Sequence, residues 1–231
     1  MWEAINNFLV AVDDKVWGVP LMVLIIAGGV LLTSRLGFLQ VRRLPLALKW
    51  MFKNEEEGDG EISSFAALCT ALSATIGTGN IVGVATAIAA GGPGALFWMI
   101  VAAFFGMATK FSEGLLAVKY RVKAADGSFI GGPMYALERG LGHKWLGVLF
   151  AIFTGIACFG IGNMTQANSI AESMSGTFGV PKIATGIVLM IITGLVILGG
   201  VKSISKVCEK LIPLMAGLYI VGCIVICIIN G

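Results

Sequence analysis

The sequence predicts an all-α integral membrane protein with six transmembrane helices, one of them broken. The chain is 57% hydrophobic and 13% charged, with a mean hydropathy of +0.92. Soluble domains are about 45–50% apolar and about 25% charged. Six apolar segments approach the roughly 20 residues that cross a bilayer. Residues 73 to 83, Ser-Ala-Thr-Ile-Gly-Thr-Gly-Asn-Ile-Val-Gly, put glycine and small polar residues in the middle of one such segment. In hydrocarbon every backbone N–H and C=O must find a partner, so unwound backbone survives only where it is buried in protein or lines a cavity.

The first segment, near 17–36, has Pro20 near its start. The residues before it carry Glu3, Asp13 and Asp14 rather than a basic region and a short apolar core, so no cleavable signal peptide is expected. An acidic, glycine-containing loop, Asn54 to Glu61, leads to the second segment at 65–90. Gly91-Gly92-Pro93-Gly94 forms a tight connection to the third, at 94–118. In the 119–145 connection Pro133 can start a short amphipathic helix on the membrane surface and Gly140 can end it. The remaining segments are 146–173, 183–200 (after Pro181) and 211–230. Residues 1–61 therefore form an N-terminal helix with its loop, and 62–231 the remaining helices.

Basic residues set the orientation. The connections at 35–61, 119–145 and 201–210 hold 13 of the 16 Lys and Arg residues. The positive-inside rule makes those loops cytoplasmic and turns both termini of this chain outward. Trp98 and Phe97 near the outer end of the third segment, and Trp145 near the inner end of the fourth, suit interfacial anchors. Lys110 and Glu113 stand i, i+3 apart about 24 Å along the third helix, close to the cytoplasmic interface. A structural ion pair is expected there rather than a proton relay, which needs charges near the midplane.

Enzyme chemistry has little support. The five cysteines make no C-x-x-C pair and read as small apolar packing residues. The single histidine, His143, lies in a polar connection without partners. No nucleophile–base pair or intramembrane metal cluster is apparent.

The broken second segment is the candidate site. A helix from Phe65 to about Ile76, resuming near Asn80, leaves Gly77, Thr78 and Gly79 unwound. Freed N–H groups and the positive end of the second half-helix favour a carboxylate. Freed carbonyls and the negative end of the first half favour a small cation. A zwitterionic amino acid with sodium satisfies both. The hydroxyls of Ser73, Thr75 and Thr78 and the amide of Asn80 add oxygen ligands suited to a hard cation. The competing reading is a G-x-x-x-G packing face at Gly79 and Gly83. A nucleotide loop is disfavoured, because the glycines miss the G-x-G-x-x-G spacing by one and follow no strand. A second polar cluster, Asn163, Thr165, Gln166, Asn168 and Ser169, lies in the fourth segment, with Asn163, Gln166 and Ile170 on one face. Such amides either bond between helices or line a cavity.

Gly91-Gly92-Pro93-Gly94-Ala95-Leu96-Phe97-Trp98-Met99, followed by Gly106-Met107-Ala108-Thr109, resembles the signature of the alanine or glycine:cation symporter family. Ile100 departs from it, standing where that signature usually carries a second tryptophan. Ala74-Thr75-Ile76-Gly77-Thr78-Gly79-Asn80 is similar to the family's first core helix, and the resemblance covers essentially the whole chain.

The resemblance implies a sodium-coupled, sometimes proton-coupled, importer of alanine or glycine at the plasma membrane, with the LeuT-type fold of two inverted five-helix repeats. The 17–36 helix would then be an extra N-terminal helix, and 62–231 the first repeat. The second repeat is absent from this chain, so completing the site is expected to need a missing second half or a second copy. By resemblance Gly77, Thr78 and Gly79 take the substrate carboxylate. Thr75 and Asn80 ligate a sodium ion that touches it, and the carbonyls of Ser73 and Ile76 serve a second sodium. Asn163 and Gln166 line the substrate pocket. No cofactor is implied beyond sodium as coupling ion; the implied partners are substrate, sodium, the lipid bilayer and that second half or copy, with no nucleic acid. A channel, in which Gly-Thr-Gly lines a filter, and a non-transporting scaffold or inactive fragment remain the alternatives.

Overall fold

The computed structural model describes residues 2–52, 62–125 and 127–230; the acidic loop at 54–61 lies outside them. The regular elements of the described residues are helices, except for a two-stranded hairpin, β1 (Val122–Lys123) antiparallel to β2 (Phe129–Ile130). The N-terminal helices are α1 (Trp2–Val16), α2 (Val19–Arg35), α3 (Leu39–Arg42) and α4 (Leu44–Phe52). The expected first segment is thus the second part of a longer apolar run, Trp2–Arg35, with Pro20 in the first turn of α2.

The second segment forms as α5 (Ser64–Thr75) and, beyond a break, a π-helical turn (Gly79–Gly83) leading into α6 (Val84–Gly91). The Ser63 hydroxyl caps α5 by accepting from the Ala66 N–H at 3.1 Å. Gly92, at φ +67°, ends α6, a conformation that glycine adopts without steric cost. Pro93 then starts α7 (Pro93–Lys119). A short helix forms between Pro133 and Gly140 as expected: α8 (Pro133–Tyr135) runs into a π-helical turn, Ala136–Gly140. It lies tightly on its neighbours. A Cβ at Gly147 would sit 2.7 Å from the Met134 carbonyl, and one at Gly140 would sit 3.0 Å from the Tyr120 ring.

The fourth segment is α9 (Lys144–Phe159), a π-helical turn (Gly160–Met164) and α10 (Thr165–Phe178), together one apolar run of 35 residues. α11 (Lys182–Leu198) and α12 (Gly200–Asn230) complete the chain. Residues 201–210, expected as a loop, are the first turns of α12, because Val-Lys-Ser-Ile-Ser-Lys-Val contains no helix breaker after Gly200.

Among the described residues four helical runs are long and apolar enough to cross a membrane, and the bent pair Ser64–Thr75 with Gly79–Gly91 makes a fifth. The apolar helix α11 has 17 residues, at the short end of what spans a bilayer. These are the elements of a multi-pass membrane protein. Most large apolar side chains face outward, as a lipid solvent allows. The tightest contacts use small residues: α2 meets α7 where a Cβ at Gly29 would lie 2.9 Å from the Phe105 Cβ, and α5 packs on α12, burying Ala66, Cys69, Ser205 and Ile212.

Candidate functional site

The first half-helix ends by a change at one residue. The Ile76 N–H closes the last turn on the Leu72 carbonyl at 2.7 Å, and Ile76 itself is extended, at φ −86° and ψ +95°. By Thr78 the backbone is helical again. The two halves meet at 54°. Asn80 N–H donates to the Gly77 carbonyl at 3.1 Å, opening the second half.

Two donors of Thr78 converge on one oxygen. Its backbone N–H reaches Gln166 Oε1 at 3.3 Å and its hydroxyl donates to the same atom at 2.9 Å. A Cβ on Gly77 would lie 3.2 Å from Gln166 Nε2. The broken helix and the fourth segment are therefore joined through Gln166, and Gly77 serves that close approach. Neither Gly77 nor Gly79 has positive φ, so the glycines are used for space and not for a left-handed turn. Around Gly79 a Cβ would meet nothing within 4 Å.

The hydroxyls below the break turn back on their own helix. Thr70 donates to the Ala66 carbonyl at 2.7 Å, Ser73 to Thr70 at 2.7 Å and Thr75 to Ala71 at 2.9 Å. Each spends its single proton on a carbonyl and keeps oxygen lone pairs, which is what a hard cation takes. The last carbonyls of α5 sit at the negative end of the half-helix. Ser73, Ile76, Gly77 and Thr78 are half-buried; Thr75, Gly79 and Asn80 are exposed. Among the described residues no group of three His, Cys, Asp or Glu could hold a transition metal.

In the fourth segment Gln166 is half-buried at the break, whereas Asn163 is exposed within the π-helical turn Gly160–Met164. That turn was not expected. A π-helical turn carries i→i+5 bonds and so one residue more than an α-turn, which re-aims everything after it. Gly160-Ile161-Gly162 was its only trace in the sequence. Lys110 and Glu113 form the expected ion pair, Nζ to Oε2 at 3.1 Å. Lys182 also pairs with Glu172 across the α10–α11 connection.

A multi-pass helical chain whose second span is broken, with paired donors at the break, has the features of a membrane carrier. The chain belongs to the sodium:alanine symporter family, whose model matches residues 2–231. This is a family of transporters and not of enzymes. The chain is 54% identical to an uncharacterised transporter of Haemophilus influenzae, over 98% of this chain and 50% of that protein. It is 53% identical to the sodium/alanine symporter AgcS of Methanococcus maripaludis, over 95% of this chain and 50% of that one. It is 39% identical to the probable sodium/glutamine symporter GlnT of Bacillus subtilis, over 95% and 46%. The chain thus spans about half the length of the curated relatives it matches.

Proposed function

We propose that this chain forms one wall of the binding site of a sodium-coupled symporter that imports a small neutral amino acid, alanine or glycine, across the plasma membrane by alternating access. The observation that carries this is the convergence of the Thr78 N–H and hydroxyl on Gln166 Oε1. A substrate carboxylate oxygen accepts the same two donors, and a negative acceptor makes stronger bonds to them than a neutral carboxamide does. Gly77 and Gly79 let the carboxylate come close to the backbone. Thr75 and Asn80 ligate a sodium ion touching it, and the carbonyls of Ser73 and Ile76 ligate a second. Asn163 and Gln166 line the substrate pocket. The first half-helix tilts at Ile76 during the cycle, with 62–231 serving as one five-helix repeat of a LeuT-type fold that counts six membrane helices with the N-terminal one.

Family membership favours a carrier over a pore or a scaffold, and the names of AgcS and GlnT favour an amino acid moved with sodium. The positive-inside rule supports a cytoplasmic position for the basic stretches at 35–61 and 119–145 and the first turns of α12, with both termini of the chain outside.

Equilibrium binding of labelled alanine, in sodium and in potassium, to membranes of cells expressing the complete gene tests the reading. Sodium-specific binding is expected, and Asn80→Ala should weaken it about tenfold or more, the worth of a lost bond to a charged group. Equal affinity in the two salts, or in the variant and the parent, overturns the assignment.

A further inference from the structure

The α2–α7 interface carries a feature that transport does not use. Beside the close contact of Gly29 with Phe105, a groove of about 190 Å³ opens between the two helices. Its walls are apolar, formed by Ile25 and Ile26 on one side and Ala102, Phe105 and Gly106 on the other. At one end it reaches Thr109, Lys110 and Glu113. One span lies between α2 and α7 in the chain, so the two run the same way through a membrane. Lys110 lies about 7.5 Å beyond Phe105 at 1.5 Å per residue, and Arg35, the end of α2, about 9 Å beyond Gly29. The Lys110–Glu113 pair therefore stands level with the end of α2, where hydrocarbon gives way to headgroups. Both charges remain open, with side chains 71% and 45% exposed.

We propose that this groove is a binding site for a zwitterionic aminophospholipid of the phosphatidylethanolamine type, one acyl chain lying between Ile25, Ile26 and Phe105, with the headgroup on Lys110 and Glu113. The charges select the class. The Lys110 ammonium takes the phosphate, and the Glu113 carboxylate accepts hydrogen bonds from the primary ammonium. A choline headgroup has no N–H for Glu113, and an anionic headgroup has no cation for it and meets its repulsion. Desolvation at the headgroup boundary strengthens both contacts relative to water. The two side chains already sit 3.1 Å apart, so the headgroup joins a pre-formed pair in a four-charge arrangement and need not separate it. The site rests on the membrane residence proposed above, which a separate measurement, retention in the membrane fraction after alkaline washing, tests by itself.

The protein from the complete gene is equilibrated with vesicles of equimolar phosphatidylethanolamine and phosphatidylglycerol, extracted in mild detergent and weighed with its bound lipid by native mass spectrometry. Phosphatidylethanolamine should be retained over phosphatidylglycerol by about tenfold or more, the worth of roughly one hydrogen bond to a charged group. Gly106→Leu fills the groove, and a Cβ there meets nothing within 4 Å. Leucine is also the better helix former, so this variant keeps the fold while losing the bound lipid by about fivefold or more. Glu113→Gln should keep the bound lipid and abolish the preference between headgroups. Equal retention of the two lipids by the parent, a preference for phosphatidylglycerol, or unchanged retention in Gly106→Leu would each overturn the site. A protein segment covering the groove gives the last of these results.

Discussion

Two membrane segments of this chain are interrupted, and they are interrupted differently. In the first, α5 and α6 are separated at Ile76–Thr78 and bent by 54°. In the second, α9 and α10 are joined by a π-helical turn at Gly160–Met164 and remain one apolar run of 35 residues. The first interruption frees backbone groups, and the second turns side chains. The freed N–H of Thr78 meets Gln166, which sits just beyond the π-helical turn. One break thus supplies the donors and the other aims the acceptor at them.

The largest expected effect comes from removing the second device. Deleting Ile161 takes out the extra residue of the π-helical turn, and each residue of an α-helix turns the chain by about 100°. Gln166 then leaves Thr78, while the length of the span and its hydropathy hardly change. Sodium-dependent alanine uptake should fall to background with membrane insertion intact. Uptake near the parental level would show that the π-helical turn has no part in aiming Gln166.

At the first break the glycines are tested by contrast. Gly77→Leu must displace the Gln166 carboxamide, 3.2 Å from the new Cβ, whereas around Gly160 a Cβ meets nothing within 4 Å. Gly77→Leu is expected to cut uptake about tenfold or more, a cost near the 1–3 kcal/mol of overpacking a tight contact. Gly160→Ala should stay within about twofold, since it adds no clash and slightly favours the helix. Equal effects of the two substitutions would erase the distinction between a spatially constrained and an open glycine.

How much of this was legible in the sequence depends on the kind of signal. Gly77-Thr78-Gly79 within an apolar segment announces a break, and the structure places it within a residue or two of the expected ends. Pro133 and Gly140 likewise mark the short helix between them, and Lys110 with Glu113 the ion pair, because each rests on spacing alone. The π-helical turn at Gly160–Met164 was illegible, since glycines in a membrane helix read equally as packing residues. The bond between Thr78 and Gln166 joins residues 88 apart in sequence, and no local pattern encodes such a pairing. Asn163 and Gln166 fit one face of an uninterrupted helix, but Asn163 falls inside the π-helical turn, where that spacing no longer holds, and ends exposed. Residues 201–210 were misjudged because charge density was read as a loop, although nothing in that stretch breaks a helix.

The bond between the two regions can be measured directly. Thr78→Val removes the hydroxyl donor but keeps the backbone N–H, so it should lower stability in detergent by about 0.5–1.5 kcal/mol. Gln166→Leu leaves that half-buried N–H without its acceptor and should cost more, about 1–3 kcal/mol. In a double-mutant cycle the two are expected to couple by about 1 kcal/mol, read from denaturation midpoints. Additive losses would mean that Thr78 and Gln166 are neighbours without a working bond.

The smallest effect is expected away from both breaks, at the Lys182–Glu172 pair that ties the middle of α10 to the start of α11. Both side chains are more than half exposed, at 54% and 64%. Their attraction is therefore screened by water and salt, and such pairs contribute about 0–1 kcal/mol. Glu172→Gln should shift the thermal midpoint by at most a few degrees, about 2–4 °C per kcal/mol for a chain of this size, and raising the salt should remove the shift. Glu172 lies about 9 Å along α10 from Gln166, and the pair makes no contact with the break, so alanine binding should be unchanged. Weakened binding in this variant would mean that the position of α10 is set from α11 as well as by the π-helical turn, and that Gln166 is aimed from both sides.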